Sequence, residues 1–238
     1  MNETNTSEYG YEINPVYSQT RQETVNRETL KRNRIVSLFD GDVIADQLKI
    51  MDTQVLESLN EKNGNSLIIT SPGSGEGKTL TSINLAISLS QKIDRTVLLV
   101  DTDLRNPTVH NYIGIEAKKG LSDYLLGEAG IPELLINPGI AKLVLLPGGR
   151  PISNSTVLLG SPKMKMLVDE LKSKYPERII IFDTPPLLTS ADTLVFSSLV
   201  DGILLVVESE KTPKGEIEKA ISLLNDKPLI GTVFNKAM

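Results

Sequence analysis

Three short stretches of the sequence combine residue types that bind phosphate and a divalent metal ion. The first, SPGSGEGKT, spans residues 71–79 and contains three glycines, a lysine and a threonine. The second is DTDLR at 101–105, and the third is FDTPP at 182–186. Glycine-rich backbone with lysine, hydroxyl and carboxylate groups can hold a magnesium nucleotide and support phosphoryl transfer. The sequence therefore predicts a magnesium-dependent, ATP-binding protein.

The glycine-rich stretch has the context that a phosphate-binding loop requires, because an apolar run precedes it and a helical pattern follows. Glycines let successive backbone N–H groups surround an anion, and the helix N-terminus adds positive partial charge. Lys78 is expected to bridge the outer phosphates, and the Thr79 hydroxyl to bind magnesium. Pro72 stands where the strict pattern has glycine, so the loop is a variant. The predicted nucleotide-binding residues here are Gly73, Ser74, Gly75, Glu76, Gly77, Lys78, Thr79 and Leu80.

The two other stretches place carboxylates directly after apolar runs. Asp101 and Asp103 follow residues 97–100, and Asp183 ends the run 179–182. Ligands of parallel sheets bind at the carboxyl ends of the strands. Close carboxylates oppose joint ionisation, a conflict that magnesium with ATP would resolve. Each aspartate motif taken alone would also fit a helix cap.

Continuous apolar runs recur between helical patterns after residue 66. Such runs indicate strands buried on both faces, as in a parallel sheet covered by helices. The clearest helical repeat follows Lys78, at Leu80, Ile83 and Ile87. The pattern predicts an α/β fold with a doubly wound, mostly parallel sheet. The predicted strands are 67–69, 97–100, 143–146, 179–182, 203–207 and 229–234.

The chain divides into a polar N-terminal part and one P-loop domain. Residues 1–40 are rich in Asn, Thr, Glu and Arg, which predicts a mobile arm. The arm holds Tyr9, Tyr11 and Tyr17, half of the six tyrosines. These phenols are placed to reach another molecule's active site, or they are simple contacts of a tail. Residues 41–238 are expected to form the folded domain, beginning with a helix over 43–59.

Composition restricts the class of protein. A net charge of -5 argues against a surface that coats nucleic acid, and the absence of cysteine excludes disulfides and thiolate chemistry. No apolar stretch approaches the length of about 18 residues that a membrane span needs. A cytoplasmic protein is expected, with any membrane association supplied by a partner.

Together the loop, LLVDTDLRNP and IIIFDTPP resemble the three Walker motifs of the bacterial tyrosine kinases that control capsule and exopolysaccharide assembly. The resemblance covers residues 43–238 and implies the MinD-like branch of P-loop ATPases. The nearest rival is an ATPase switch of the MinD or ParA type. Those proteins carry a second lysine early in the loop, where this chain has Gly73. That difference favours the kinase branch.

The resemblance implies roles for individual residues. Asp101 would be the catalytic aspartate near the tyrosine hydroxyl, and Asp103 and Asp183 would hold magnesium or its waters together with Thr79. Arg105 would order the aspartates or reach phosphate. Lys78 would contact the β- and γ-phosphates of ATP, and the expected cofactors are ATP or ADP with Mg²⁺. A further position, Asn235, resembles the adenine-side asparagine of related ATPases, although a strand-ending asparagine also suits a turn.

Two features differ from the family pattern. Family members usually end in a tyrosine-rich tail, whereas this sequence ends FNKAM without a tyrosine cluster, so the acceptors are expected among Tyr9, Tyr11 and Tyr17. The family also has E-x-x-R-x-x-R before the loop for ring assembly. Here that position reads Asp46-Gln-Leu-Lys49-Ile-Met-Asp52, without the arginines. The usual ring is therefore not expected, although another homo-oligomer is compatible with the sequence.

The sequence thus predicts a cytoplasmic protein-tyrosine autokinase that uses MgATP. The resemblance implies a membrane-embedded partner for polysaccharide chain length or export, which would recruit the chain to the inner face of the membrane. Two alternatives stay open, an ATPase switch that phosphorylates no tyrosine and a nucleotide-binding scaffold without turnover. Release of ADP without phosphoprotein would identify the switch.

Overall fold

The computed structural model describes residues 4–7, 10–13, 15, 20–39 and 43–237. The strands are β1 Thr4–Ser7, β2 Gly10–Ile13, β3 Arg21–Gln22, β4 Ser66–Thr70, β5 Thr96–Asp101, β6 Ile136–Asn137, β7 Leu143–Leu146, β8 Arg178–Asp183, β9 Gly202–Glu208 and β10 Leu229–Asn235. The helices are α1 Arg27–Arg32, α2 Val43–Glu61, α3 Lys78–Ser90, α4 Val109–Ile113, α5 Leu121–Leu126, α6 Ile131–Leu134, α7 Ser155–Leu159, α8 Pro162–Lys174, α9 Asp192–Phe196 and α10 Lys214–Leu223, with a 3₁₀ turn at Ser197–Leu199.

Eight strands form one sheet in the order β10-β9-β4-β8-β5-β7-β6-β3. Strands β6 and β7 pair antiparallel, and the other neighbouring pairs of this sheet, within the residues described, are parallel. Strand β8 lies between β4 and β5, so the carboxyl ends of three strands adjoin. This arrangement confirms the predicted doubly wound, mostly parallel α/β sheet, and each predicted strand lies within an observed one.

Both faces of the sheet are buried under helices. Along β4, Leu67 and Ile69 pack into the apolar cluster on one face, while Ile68 packs into the cluster on the other. The alternation explains why the strands read as continuous apolar runs rather than alternating ones. Helix α3 is almost completely enclosed on the first face. In the described part of the chain, no helix is long and apolar enough to cross a membrane.

Residues 20–39 differ from the mobile arm that the sequence predicted. Strand β3 pairs with β6 at the edge of the sheet, and helix α1 follows it. Leu30 and Ile35 have no exposed surface and belong to the main apolar cluster. The Asn84 side chain on α3 accepts the backbone N–H of Val36 at 2.8 Å. The arm prediction is therefore wrong for these residues, because strand pairing and buried apolar side chains dock a stretch whose composition is mostly polar.

The three proposed acceptor tyrosines are not fully within the described residues. Tyr9 and Tyr17 lie outside them, and for Tyr11 only the backbone is described, within β2. Strand β2 pairs antiparallel with β1. At the end of this hairpin the N–H of Ile13 donates to the carbonyl of Ile93 at 3.2 Å, just beyond the C-terminal end of α3. The hairpin therefore touches the amino-terminal edge of the sheet.

Candidate nucleotide and phosphotransfer site

The glycine-rich loop connects the end of β4 to the start of α3, as predicted. Gly77 directly precedes the helix with φ of 97°, and Gly75 has φ of 81°. Both values lie in the left-handed region that favours glycine. At the open tip of the loop Ser74 and Gly75 are exposed, whereas the Glu76 side chain is buried. The remaining predicted positions are Gly73 in the loop and Lys78, Thr79 and Leu80 in the first turn of α3.

Residues that follow β9 and end β10 form hydrogen bonds to the phosphate loop. The Asn235 amide donates to the carbonyl of Glu76 at 2.8 Å, and the Lys236 ammonium donates to the carbonyl of Gly75 at 2.9 Å. Thr212, after β9, donates to the carboxylate of Glu76 at 2.7 Å. Asn235 is therefore part of the loop environment, beside the start of α3. Lys236 and Thr212 were missed in the sequence because they lie outside every motif.

Asp183 connects the end of β8 to the first turns of α3. It accepts hydrogen bonds from Thr79 at 2.8 Å and from Ser82 at 2.9 Å. Burial raises the pKa of this carboxyl above its ordinary value, although Lys78 and the two hydroxyls act in the opposite direction. Ser82 was missed in the sequence, but its position three residues after Thr79 on a helix was a usable signal.

Lys78 and Asp103 form an ion pair inside the site. The ammonium lies 3.3 Å from the carboxylate, and both side chains are largely buried. Burial by itself lowers the pKa of Lys78, but the charges of Asp183 and Asp103 raise it above its ordinary value. The lysine is therefore a permanent cation at the mouth of the loop. This is the charge that a bound triphosphate requires.

Asp101 is fully buried beside Asp183, its register partner across β5 and β8. Its carboxylate accepts the backbone N–H groups of Thr108 at 2.9 Å and Val109 at 3.0 Å, so it also caps α4. Burial and the charge of Asp183 raise the pKa of Asp101 to about 8. The helix-cap interpretation and the site interpretation of this residue are therefore both compatible with its geometry.

Arg105 points to a different neighbour from the one expected. Its Nε donates to Asp192 at 3.4 Å and its Nη2 to Thr156 at 3.4 Å. Within the residues described, it has no hydrogen bond to Asp101 or Asp103. Arg105 therefore does not order Asp101 or Asp103 in this structure, because its guanidinium contacts the start of α9 instead. The other expected role, a contact with phosphate, stays a prediction. Asp192 was missed because nothing in its local sequence marks it.

The oxygen donors of the site suit Mg²⁺. Thr79, Asp103 and Asp183 supply hydroxyl and carboxylate oxygens, the hard donors that Mg²⁺ prefers. In the described part of the chain, no three His, Asp or Glu side chains form a ready-made metal cage. Mg²⁺ usually retains several waters and shares substrate phosphates rather than occupying an all-protein cage. The donor set therefore fits an ion that arrives with a nucleotide.

Comparisons with known proteins identify the relatives of this chain. Residues 65–226 match the family described as AAA domain. The tyrosine-protein kinase YwqD of Bacillus subtilis (strain 168) is 33% identical over 208 residues, which cover 87% of this chain and 86% of that protein. The tyrosine-protein kinase CpsD of Streptococcus agalactiae is 32% identical over 178 residues, which cover 74% of this chain and 76% of that protein.

Solved structures show the same fold. The chimerical protein CapA2B2 superposes with a TM-score of 0.79 at 27% identity, covering 94% of this chain and 95% of that one. The septum site-determining protein MinD of Pyrococcus horikoshii OT3, complexed with Mg-ADP, superposes with a TM-score of 0.60 at 22% identity, covering 71% and 69%. The likeness to MinD shows a shared fold alone. With a loop, a lysine and three carboxylates in the predicted places, this chain belongs to the bacterial tyrosine-protein kinases, a family of P-loop proteins with the MinD-like fold.

Proposed function

We propose that this chain transfers the γ-phosphoryl group of MgATP to tyrosine side chains of other copies of itself, as an autokinase of capsule or exopolysaccharide biosynthesis. The observation that supports the proposal most directly is the linked pair of contacts, Lys78 with Asp103 and Thr79 with Asp183. They bring a cation, a hydroxyl and carboxylates to the mouth of one phosphate loop. Phosphoryl transfer needs this kind of positioning and charge neutralisation more than covalent chemistry.

Each residue of the site has a defined task in this proposal. The loop N–H groups and Lys78 bind the outer phosphates, and Asn235 lies on the adenine side. Thr79 and the carboxylates of Asp103 and Asp183 hold Mg²⁺ or its waters. Bound MgATP supplies the phosphoryl group, with its charge partly neutralised by the metal.

Asp101 is the group proposed to take the proton of the tyrosine hydroxyl. Burial and the neighbouring Asp183 raise its pKa to about 8, so the nucleotide-free site holds Asp101 largely protonated at pH 7, and it accepts a proton only in its ionised form. The loose transition state of phosphoryl transfer requires the proton to leave only late. Asp101 therefore needs to lie near the acceptor hydroxyl without extracting its proton beforehand.

The proposed acceptors are Tyr9, Tyr11 and Tyr17, and geometry favours transfer between copies. Ile13 is bonded beyond the C-terminal end of α3, whereas the phosphate loop lies at its N-terminal end. The 13 residues of α3 separate these ends by roughly 20 Å. Tyr11 is two residues from Ile13 and reaches about 7 Å along an extended chain. While that contact persists, Tyr11 can enter the site of another copy but not its own.

We also propose where in the cell the protein acts and what recruits it. A membrane-embedded partner for chain length or export would recruit the protein to the inner face of the membrane. Among the relatives, EpsB of Ralstonia solanacearum is 32% identical over 196 residues, and this chain corresponds to only 26% of its length. Fractionation of cells with and without the partner gene tests the recruitment. A distribution that does not change would contradict it.

The first experiment is phosphopeptide mapping of the full chain after incubation with MgATP. The native protein is compared with Lys78→Met and Asp101→Asn, and the exposed-site variant Lys214→Met is the control. We expect phosphate on Tyr9, Tyr11 or Tyr17 in the native and control proteins and none in the two site variants. ATP hydrolysis without any phosphotyrosine would contradict the proposed kinase function and support an ATPase switch.

A further inference from the structure

Asp192 is a buried carboxylate that the phosphotransfer chemistry does not use. Its side chain has no exposed surface, and it accepts hydrogen bonds from Ser155 at 2.6 Å and from Thr156. Burial alone raises the pKa of Asp192, but these hydroxyl donors and Arg105 lower it below its ordinary value. Asp192 is therefore an anion at neutral pH, held where a charge is costly unless it is well paired.

The partner of this anion is a half-exposed cation at the open edge of the site. The Arg105 side chain is 49% exposed, while Asp192 is fully enclosed. The buried carboxylate thus holds an arginine that faces solvent. The guanidinium has five N–H donors in a rigid fork. Asp192 and Thr156 take two of them, so three have no hydrogen-bond partner among the described residues.

Asp192 is also fixed to the catalytic edge of the sheet. Its neighbour Thr193 donates to the carbonyl of Pro185 at 2.7 Å, in the loop that follows Asp183. Arg105 lies in the loop that follows Asp101, the last residue of β5, and that contains Asp103. The pair therefore connects the loops after β5 and β8 to helix α7. These contacts place the arginine at the edge of the site.

Exposed apolar side chains lie on α7 and α9, the two helices whose residues contact the arginine. Val157 follows Thr156 on α7 and is 70% exposed, and Val195 on α9 is 39% exposed. Both helices begin in loops that follow carboxyl ends of strands, on the side of the phosphate loop. A cation held between two helices that expose apolar side chains suits a peptide with an aromatic and an acidic residue side by side.

The proposed acceptors have that composition. Tyr9 and Tyr11 lie in Glu8-Tyr9-Gly10-Tyr11-Glu12, so each has a carboxylate directly beside it. Tyr17 lies between Val16 and Ser18, without an acidic neighbour. The charge complementarity therefore singles out two of the three acceptors.

We propose that Asp192 is a positioning residue that holds Arg105 so that its free N–H groups bind the carboxylate beside an acceptor tyrosine of a second copy. The inference rests on the proposed function and adds an acceptor preference to it. Arg105 determines specificity, and Asp192 acts through Arg105. Charge-assisted hydrogen bonds from an arginine fork to a carboxylate are among the stronger polar contacts of proteins.

Two peptides test this preference with the full chain and saturating MgATP. One is NTSEYGYEINP, residues 5–15, and the other has glutamine at the positions of Glu8 and Glu12. We expect the native protein to prefer the acidic peptide about tenfold in kcat/KM, mainly through KM, which corresponds to one charged contact of about 1.4 kcal/mol. Arg105→Gln should abolish the preference, and Arg105→Lys should keep part of it because its charge remains.

Asp192→Asn should reduce the preference for the acidic peptide. The double variant Asp192→Asn with Arg105→Gln should show no more loss than Arg105→Gln alone, since both residues act through one contact. Arg150→Gln is the matched control, because Arg150 is 50% exposed and also paired with a carboxylate, that of Glu128. It should keep the full preference. If Asp192→Asn does not fold, the two Arg105 variants still decide the question.

The contrary outcomes are distinct. Equal rates on both peptides with the native protein would overturn the inference and leave the kinase function intact. A loss of kcat in Arg105→Gln that is equal on both peptides would also overturn it, and would place the arginine on phosphate instead. Hydrolysis of MgATP with no phosphate on either peptide or on the chain would overturn the proposed function itself.

Discussion

At the residue scale, Asp201 shows how one carboxylate aligns the strand that leads into the phosphate loop. It accepts the Ser66 hydroxyl at 2.7 Å and the N–H of Asn65 at 3.0 Å. The Lys172 ammonium lies 2.6 Å away on the other carboxylate oxygen. Burial by itself raises the pKa of Asp201, but the hydrogen bonds from Lys172 and Ser66 lower it below its ordinary value. The ionised form therefore contributes to stability.

Replacing Asp201 by asparagine should lower the free energy of unfolding by about 2 kcal/mol, because Lys172 loses its charged partner and one of the two partly buried acceptor oxygens becomes an amide donor. Urea unfolding of the nucleotide-free protein measures the change. Glu170→Gln is the control, since its pair with Lys174 is exposed, and such pairs contribute about 0.5 kcal/mol or less. Equal effects of the two substitutions would contradict this account of Asp201.

The contribution of Asp201 should also depend on pH. The folded-state pKa is depressed, so the unfolded chain binds the proton first as pH falls. The stabilisation is fully present above the unfolded value of about 3.9 and is lost as pH falls through the lower folded value. We therefore expect the difference between the native protein and Asp201→Asn to be constant from pH 6 to 8 and to shrink below about pH 4. Unfolding curves at several pH values test this expectation.

At the scale of elements, helix α2 is tied to α3 by a buried charge. Asp52 lies 2.7 Å from the Lys92 ammonium and accepts the Ser88 hydroxyl at 2.6 Å. This is the position where the family pattern has an arginine for ring contacts. Asp52→Arg should cost about 3–5 kcal/mol, because it buries a second cation beside Lys92. Lys49→Arg, at an exposed position of the same helix, should have almost no effect in the same urea experiment.

The junction between the phosphate loop and α3 requires glycine. At Gly77, φ is 97° and an added Cβ would lie 2.0 Å from the Asn235 amide nitrogen. Gly77→Ala should therefore strain the backbone by about 1–2 kcal/mol and displace Asn235 from the loop. We expect ATP affinity, measured by calorimetry, to fall at least about tenfold, or 1.4 kcal/mol.

Gly215→Ala provides the matched control for the loop glycine. A Cβ there meets nothing within 4 Å, and the residue lies in α10. Alanine should stabilise this helix by up to about 1 kcal/mol and leave ATP affinity unchanged. Similar ATP affinities for the two alanine variants would show that the loop tolerates a side chain at Gly77.

At the scale of the whole molecule, residues 20–39 complete the apolar core from outside the P-loop domain predicted from the sequence. Leu30→Ala should cost about 2–5 kcal/mol, the range for a fully buried leucine. Leu223→Ala, at a position that is 42% exposed, should cost less than about 1 kcal/mol. Comparing the two in urea distinguishes a docked segment from a loose arm. An unchanged free energy of unfolding in Leu30→Ala would support the interpretation of residues 20–39 as a mobile arm.

Removal of residues 1–19 provides a second test at this scale. It deletes the proposed acceptors Tyr9, Tyr11 and Tyr17 but spares Leu30 and Ile35 in the core. We expect the shortened protein to unfold cooperatively, to lose autophosphorylation and to phosphorylate the peptide of residues 5–15. Continued autophosphorylation on other tyrosines would show that the acceptors lie in the folded domain.

The sequence by itself determined the sheet, the phosphate loop and the three carboxylates. Buried parallel strands must be apolar on both faces, so β4, β5 and β8 are visible as continuous runs. The loop chemistry is local, because glycine, lysine and threonine act within a few residues of one helix start. Asp101, Asp103 and Asp183 could be placed together because carboxyl ends of parallel strands share one edge.

Tertiary structure alone decided which distant groups meet. Arg105 is 87 residues from Asp192 in sequence, and no local pattern specifies whether an arginine turns toward its own aspartates or toward another loop. The burial of Leu30 and Ile35 likewise depends on a groove formed by other elements. Local propensity and motif chemistry act within a few residues, whereas the pairing of charges and the docking of a polar segment depend on packing between elements far apart in the chain.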